Sequence, residues 1–245
     1  MVETAPHHPA RSAVPRALSA FARRADAILR AQPSAAADAA HRPTLRALFG
    51  LLFVSGLFYG AVMGCYAGVT EGRALQLLYS GLKVPMLLLV TFAISLPNFW
   101  VLNTLLGVGA DFAQALRALV ATQAGLTIVL ASLAPFTAFW YVSFQDYRNA
   151  IVFNAAMFAV ASVSAQFLLR RYYRPLIERN RTHRQLLRIW LVIYAFIGIQ
   201  MGWLLRPFIG DPTQPVQFFR SDLWGSVNAY EYVAKLLFRA VRGML

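Results

Sequence analysis

The chain has 245 residues, 58% of them hydrophobic and only 13% charged, yet it carries a formal net charge of +13. A soluble domain is nearer half apolar and one quarter charged, so the composition argues against a water-soluble globule and for a polytopic helical membrane protein. The basic excess lies in two places, the N-terminal tail and one segment between spans, which reads as membrane topology and not as nucleic-acid binding.

Residues 1–46 form a basic tail rich in Ala, Arg and Pro. They lack the short apolar core and cleavage site of a signal peptide, so the first span is expected to direct insertion itself. Within the tail, PRALSAFARRADAILRA sets Leu18, Phe21, Ala25, Ile28 and Leu29 on one helical face, with Arg16, Arg23, Arg24 and Arg30 elsewhere. Two readings stay open, a basic amphipathic helix on an anionic membrane surface or a solvated tail whose arginines only fix topology.

Residues 47–206 are expected to form a five-helix transmembrane domain. Crossing a bilayer takes roughly 20 apolar residues, and the runs at about 47–69, 84–106, 117–142, 149–169 and 187–206 meet that need. The first run carries GLFYGAVMGCYAG, which places Gly56, Gly60, Gly64 and Gly68 at every fourth position. Such a stripe lets a neighbouring helix backbone come close. Packing against another span of the same chain is preferred to a homodimer seam. ALQLLYSGLK precedes the second run and either extends it or lies at the interface. Pro97 and Pro135 are expected to kink the second and third spans or to leave carbonyls needing other partners.

Topology follows from arginine placement. The tail carries Arg11, Arg16, Arg23, Arg24, Arg30, Arg42 and Arg46. The segment RRYYRPLIERNRTHRQLLR, read as a loop, carries Arg170, Arg171, Arg174, Arg179, Arg181, Arg184 and Arg188 against the single acid Glu178. The positive-inside rule places both in the cytoplasm, and the four spans between them agree. Arginine also far outnumbers lysine, as in a GC-rich bacterial genome, so the expected location is the bacterial cytoplasmic membrane. The N-terminus would then be cytoplasmic and the C-terminus periplasmic or extracellular. Residues 207–245 form a Pro/aromatic loop and then LWGSVNAYEYVAKLLFRAV, read as an amphipathic surface helix. Its Lys235, Arg239 and Arg242 conflict mildly with an outer location.

The polar inventory excludes more than it includes. Cys65 is the sole cysteine, so neither an internal disulfide nor a cysteine-rich metal site can form. His7, His8, His41 and His183 lie outside the predicted spans, which contain no Asp or Glu. Intramembrane metal hydrolysis, Ser–His proteolysis and proton coupling all need such groups at membrane depth. With neither a P-loop nor a Rossmann fingerprint, nothing points to an enzyme, a cofactor or a catalytic residue.

The spans retain uncharged Asn98, Asn103, Gln123, Asn154, Gln166 and Gln200. These read first as interhelical hydrogen-bonding groups, worth about 0.6–2 kcal/mol each, and second as a polar path. Lys83, at the start of the second span, either snorkels to the interface or points inward to meet an anion or lipid headgroup. After the fifth span, Arg206, Phe208, Asp211, Phe218 and Phe219 make an interfacial cap or a docking surface for a partner or lipid. Arg170, Arg171, Tyr172, Tyr173 and Arg174 admit the same choice between anionic headgroups, an acidic partner and topology alone.

The junction LNTLLGVGADFAQALRALVATQA, with a glycine ending one helix and a short loop leading to Phe112 and then Ala115, Leu116 and Arg117, resembles that of bacterial members of the Yip (Ypt-interacting protein) family. The resemblance covers roughly residues 47–206 and implies a compact five-span bundle with a cytoplasmic N-terminus. Eukaryotic Yip proteins are associated with Rab-type GTPases, but their acidic Asp-Leu-Tyr-Gly-Pro signature is missing here, so no functional residue carries over.

The sequence therefore leads to a non-catalytic membrane organiser or partner-complex scaffold. It would meet the lipid bilayer with its anionic headgroups, and a protein partner or homo-oligomer. A small oligomeric transporter or channel comes second, and a lipid-handling protein using Lys83 and the arginine segment third.

Overall fold

The computed structural model describes residues 13–30, 43–68, 73–144, 146–219 and 229–230. Six α-helices account for nearly all of them: α1 (Ala13–Arg30), α2 (Leu45–Gly64), α3 (Ala74–Leu105), α4 (Phe112–Ser143), α5 (Tyr147–Arg179) and α6 (Thr182–Leu204). Among the described residues there is no strand. Five segments, corresponding to α2 to α6, are long and apolar enough to cross a membrane. Helix is the form such segments must take, because hydrocarbon offers nothing to an unpaired backbone group.

The helix ends are written locally. Thr44 caps α2 through Ala47 N–H donating to its Oγ1 at 3.3 Å. Asp146 caps α5 by accepting from the backbone N–H groups of Arg148 and Asn149. α3 ends in a Schellman pair, with Val108 N–H donating to Asn103 O and Gly107 N–H to Thr104 O. Gly107 sits at φ +69°, the left-handed conformation that this stop requires.

The spans are arranged as an arc in the order α6, α3, α2, α4, α5. α2 packs on both α3 and α4, while α5 and α6 touch each other little. The chain reverses at every turn, giving the bundle two ends. The basic end gathers the starts of α2, α4 and α6 with the ends of α3 and α5. The cap end gathers the other termini and residues 206–219. One buried cluster centres on Trp190, Phe99, Phe92 and Leu119 in the basic half, and another on Tyr59, Val84, Leu130 and Ile209 in the cap half.

ALQLLYSGLK extends the second span, one of its two readings: it belongs to α3, which starts ten residues before the apolar run and contains Pro85 and Pro97, while α4 contains Pro135. One expectation changes. The arginine segment is no loop. α5 runs to Arg179 and α6 starts at Thr182, leaving residues 180–181 as the turn. Buried residues in and beside it, Ala165, Leu168, Leu169, Tyr173 and Leu176, then His183, Leu186, Leu187 and Trp190, recur at helical spacing, so each helix buries one stripe beneath its charges.

α1 is not solvated all round, because one face packs on the bundle. Its Ala25 and Ile28 are buried and Phe21 packs beside them on the core, while Leu18 is 65% exposed. Tyr172 Oη donates to Ile28 O at 2.8 Å and Arg171 to Arg30 O at 3.2 Å, holding the end of α1 to α5. Of the expected C-terminal amphipathic helix, Ala229 and Tyr230 alone are described; the rest lies outside the described residues.

Candidate functional site

The glycine stripe faces α3. A Cβ on Gly60 would collide with the Ser80 carbonyl oxygen and lie 2.9 Å from Gly81 Cα; one on Gly64 would lie 2.8 Å from Leu77 Cα. Gly56 abuts Pro85 at 3.4 Å, and Gly81 returns the approach from the other side, 3.3 Å from Leu57 O. Gly68 belongs to no seam. It follows the short 3-10 turn Cys65–Ala67, has φ +85° and would meet nothing within 4 Å. Spacing alone put it in the stripe; its glycine serves the turn.

This close approach sets up the cap. Residues 206–219 are irregular, so their carbonyls cannot find partners in a helix, and side chains of α3 and α5 supply the donors instead. Lys83 Nζ donates to Pro207 O at 2.5 Å, Ser80 Oγ to Phe208 O at 2.5 Å and Tyr147 Oη to Ile209 O at 3.2 Å. Arg73, beside the start of α3, donates to Asp211 O at 3.3 Å and also to Pro212 O. Gln76 Nε2 donates to Ser80 Oγ at 2.8 Å, and Gly210 lies against the Gln76 side chain. Asp211 accepts from the backbone N–H and hydroxyl of Thr213. Irregular backbone beside a span is tolerated where protein satisfies it, and side chains do so here.

Lys83 therefore points inward, as the second of its two readings has it, and the partner it meets is a backbone carbonyl. It is fully buried, with its ammonium 5.1 Å from the Phe218 ring centroid, and it reaches the cap backbone. Phe218 packs edge-on against Tyr79 and Phe219, so two of the proposed docking aromatics hold the cap down. Arg206 lies over the Trp203 ring, 3.5 Å from its centroid.

A cavity of about 380 Å³ lies under this cap between α2, α3 and α5. Its wall is mostly carbon, from residues such as Met63, Leu87, Ile151, Phe158 and Phe208, with Asn154 and Arg206 the main polar exceptions. A neighbouring 270 Å³ cavity has a mixed lining that includes Arg73, Gln76 and Asp211. A third, also 270 Å³, lies between α4, α5 and α6 and includes Gln123, Gln166 and Tyr194.

The span amides are divided among different places. Asn154 accepts from Tyr59 Oη at 3.2 Å and donates to Tyr141 Oη at 2.6 Å and Ala150 O at 2.8 Å, joining α2, α4 and α5. Gln123 donates to Tyr194 Oη at 2.7 Å, joining α4 to α6. Asn103 donates to Phe99 O within its own helix at 2.7 Å. Gln200 accepts from Ala229 N–H at 3.3 Å. Asn98 and Gln166 are exposed.

At the basic end, Arg170, Arg171, Arg174, Arg179, Arg181, Arg184 and Arg188 are all exposed, whereas Tyr173 is fully buried and Tyr172 half-buried against α1. Arg174 pairs with Glu178 at 2.7 Å. Sequence reasoning missed Asp111, which meets Arg179 at 2.6 Å and the fully buried His183 at 3.2 Å, tying the starts of α4 and α6 to the end of α5. It also missed Arg73, Ser80 and Tyr147. Span parity could have found Asp111, because it puts the second junction on the side of the arginine segment.

Five apolar spans with outward-facing Val160, Phe167, Val192 and Phe196 define a multi-pass helical integral membrane protein. No family model, curated protein or solved structure matches the chain. Among the described residues, no group of three or more His, Cys, Asp or Glu side chains is placed to hold a metal ion.

Proposed function

We propose that this protein is a non-catalytic membrane organiser that docks an acidic partner on its basic end. The observation that carries this reading is the geometry of residues 170–188. A helical hairpin with a two-residue turn presents seven exposed arginines on a framework buried from beneath by Tyr173, Leu176, Leu186 and Trp190. A fixed array loses less entropy on binding than the same charges on a loose loop. Complementary charge then steers the partner and sets its register. Residence in a bacterial cytoplasmic membrane with this end inward, and kinship with Yip-like proteins, belong to the same proposal.

The test is native electrophoresis of gently solubilised membranes containing the full chain. A discrete assembly larger than the protein alone is expected, and it should shrink when Arg170, Arg174, Arg181 and Arg184 become glutamine. Migration as a lone monomer, or an assembly indifferent to those changes, would sink the proposal.

One observation favours the transporter reading, the cavity shared by Gln123, Gln166 and Tyr194. Reconstitution into vesicles addresses it. Solute or ion flux above that of protein-free vesicles, abolished by Gln123→Leu, would overturn the organiser reading; the expected outcome is no such flux.

A further inference from the structure

We propose that the third cavity, between α4, α5 and α6, binds the uncharged, hydroxyl-bearing aromatic ring of a membrane-dissolved small molecule, with the hydroxyl at Gln123 and Tyr194. The inference does not rest on the organiser reading, since none of the exposed arginines takes part.

The polar groups of this cavity come from three helices and are not fully spent on one another. Gln123 on α4 is 7% exposed, and its Nε2 donates to Tyr194 Oη on α6 at 2.7 Å. That bond leaves Gln123 Oε1 buried with no donor. Tyr194 accepts in it, and none of the described residues takes the Tyr194 proton. One unmet acceptor and one unspent donor therefore stand together. A hydroxyl answers both, because it donates one hydrogen bond and accepts others, and an unmet buried acceptor is costly to leave. None of the side chains lining the cavity is charged, so an ion entering it would lose hydration without gaining a partner.

The rest of the lining selects the body of the ligand. Leu119, Leu126, Leu169 and Leu191 supply carbon, and the Trp190 and Tyr194 rings, 5.0 Å between centroids and 35° apart, give an aromatic wall. Rings pack on such a wall by offset or edge contact. The volume is about 270 Å³; a sphere of that size is about 8 Å across, enough for a substituted ring and too narrow for an α-helix, about 10–12 Å across with its side chains. Ser162, Gln166 and Ala195 line the cavity and are exposed, so it opens between α5 and α6, which touch each other little. Both helices are candidate membrane spans, so hydrocarbon lies beside the opening and an apolar tail can stay there while the ring enters.

The full chain, purified in a non-ionic detergent, would be presented with tritiated 4-nonylphenol in a scintillation proximity assay. The competitors are unlabelled 4-nonylphenol, 4-nonylanisole, in which the hydroxyl is methylated, and dodecanol, which has a hydroxyl and no ring. One saturable site is expected, with the phenol displacing the label at about one tenth of the concentration that either other competitor needs. Tyr194→Phe and Gln123→Leu should each weaken binding about tenfold, the order expected on losing one buried hydrogen bond. Ala195→Trp, which places an indole at the opening, should weaken it as strongly, and Ile151→Trp, at the cavity beneath the cap, should leave it unchanged. Circular dichroism and gel filtration establish that each variant is folded, and Ser162→Trp probes the same opening should Ala195→Trp fail. Uptake that does not saturate, the anisole or dodecanol competing as well as the phenol, binding indifferent to folded variants of Gln123, Tyr194 and the opening, or an equal loss in Ile151→Trp would each overturn the proposal. So would a dimer of the parent chain that Ala195→Trp converts to a monomer, since the opening would then belong to a second copy.

Discussion

The two ends of the bundle use the same kind of residue in opposite ways. At the basic end the arginines point outward, exposed along a helical hairpin, and Asp111 alone is drawn in to join three helices. At the cap end Lys83 and Arg73 turn toward the protein and donate to carbonyls of an irregular segment. The difference comes from what each end must satisfy. Two helices joined by a two-residue turn already pair most of their backbone groups, so their cations meet solvent, nearby carboxylates (Glu178, Asp111) or the end of α1. A proline-rich segment packed on the spans pairs few of its own, and an unmet buried carbonyl is costly. Cations at the cap are therefore structural, and those at the basic end contribute little to stability.

That contrast can be broken from its strongest side downward. Gly60→Leu should cause the largest effect, because its side chain would have to occupy the space of the Ser80 and Gly81 backbone just below the cap. No monodisperse folded monomer is expected by gel filtration, and Gly60→Ala should cost about 1–3 kcal/mol in detergent unfolding. A stable leucine variant that merely lost self-association would transfer the stripe to an intermolecular seam. Next comes Lys83→Met, which removes the donor from Pro207 O; a loss of about 1–3 kcal/mol is expected for an unsatisfied buried acceptor. Hydrogen exchange should quicken within residues 206–219, and unchanged protection would mean that Lys83 does not hold the cap.

Asp111→Asn should cost about 1 kcal/mol, since Arg179 is largely exposed and such pairs are weak. A larger loss than that of Lys83→Met would invert the comparison. Smallest is Arg184→Gln, expected within about 0.5 kcal/mol of the parent in thermal unfolding. Partner binding through the arginine array should weaken steeply between low and physiological salt. The protection of the cap should not, because its donors are buried or held against backbone.

Much of the scaffold was legible in the chain. Long apolar runs leave helix as the one way to satisfy the backbone in hydrocarbon, so the five spans and their approximate limits follow from composition and length. Gly60 and Gly64 announced a close approach, because four-residue spacing keeps them on one face of any helix. Local rules failed where charge hid periodicity. The arginines of 170–188 looked like a loop, although Tyr173, Leu176, His183, Leu186 and Trp190 carry the helical repeat beneath them. Gly68 looked like stripe until the turn used its positive φ.

Which surfaces meet was beyond the sequence, because a helix pattern says which face is buried and not by what. Tertiary structure alone chose α3 as the glycine partner, laid α1 on the bundle and brought Asp111 to Arg179 and His183 across some seventy residues. It alone aimed Lys83 at a carbonyl 124 residues away. Lysine at the start of a span is ambiguous by itself, since its long stem can reach either way. The irregular backbone that folds back over α3 decides the direction, by offering an acceptor that nothing else there would satisfy.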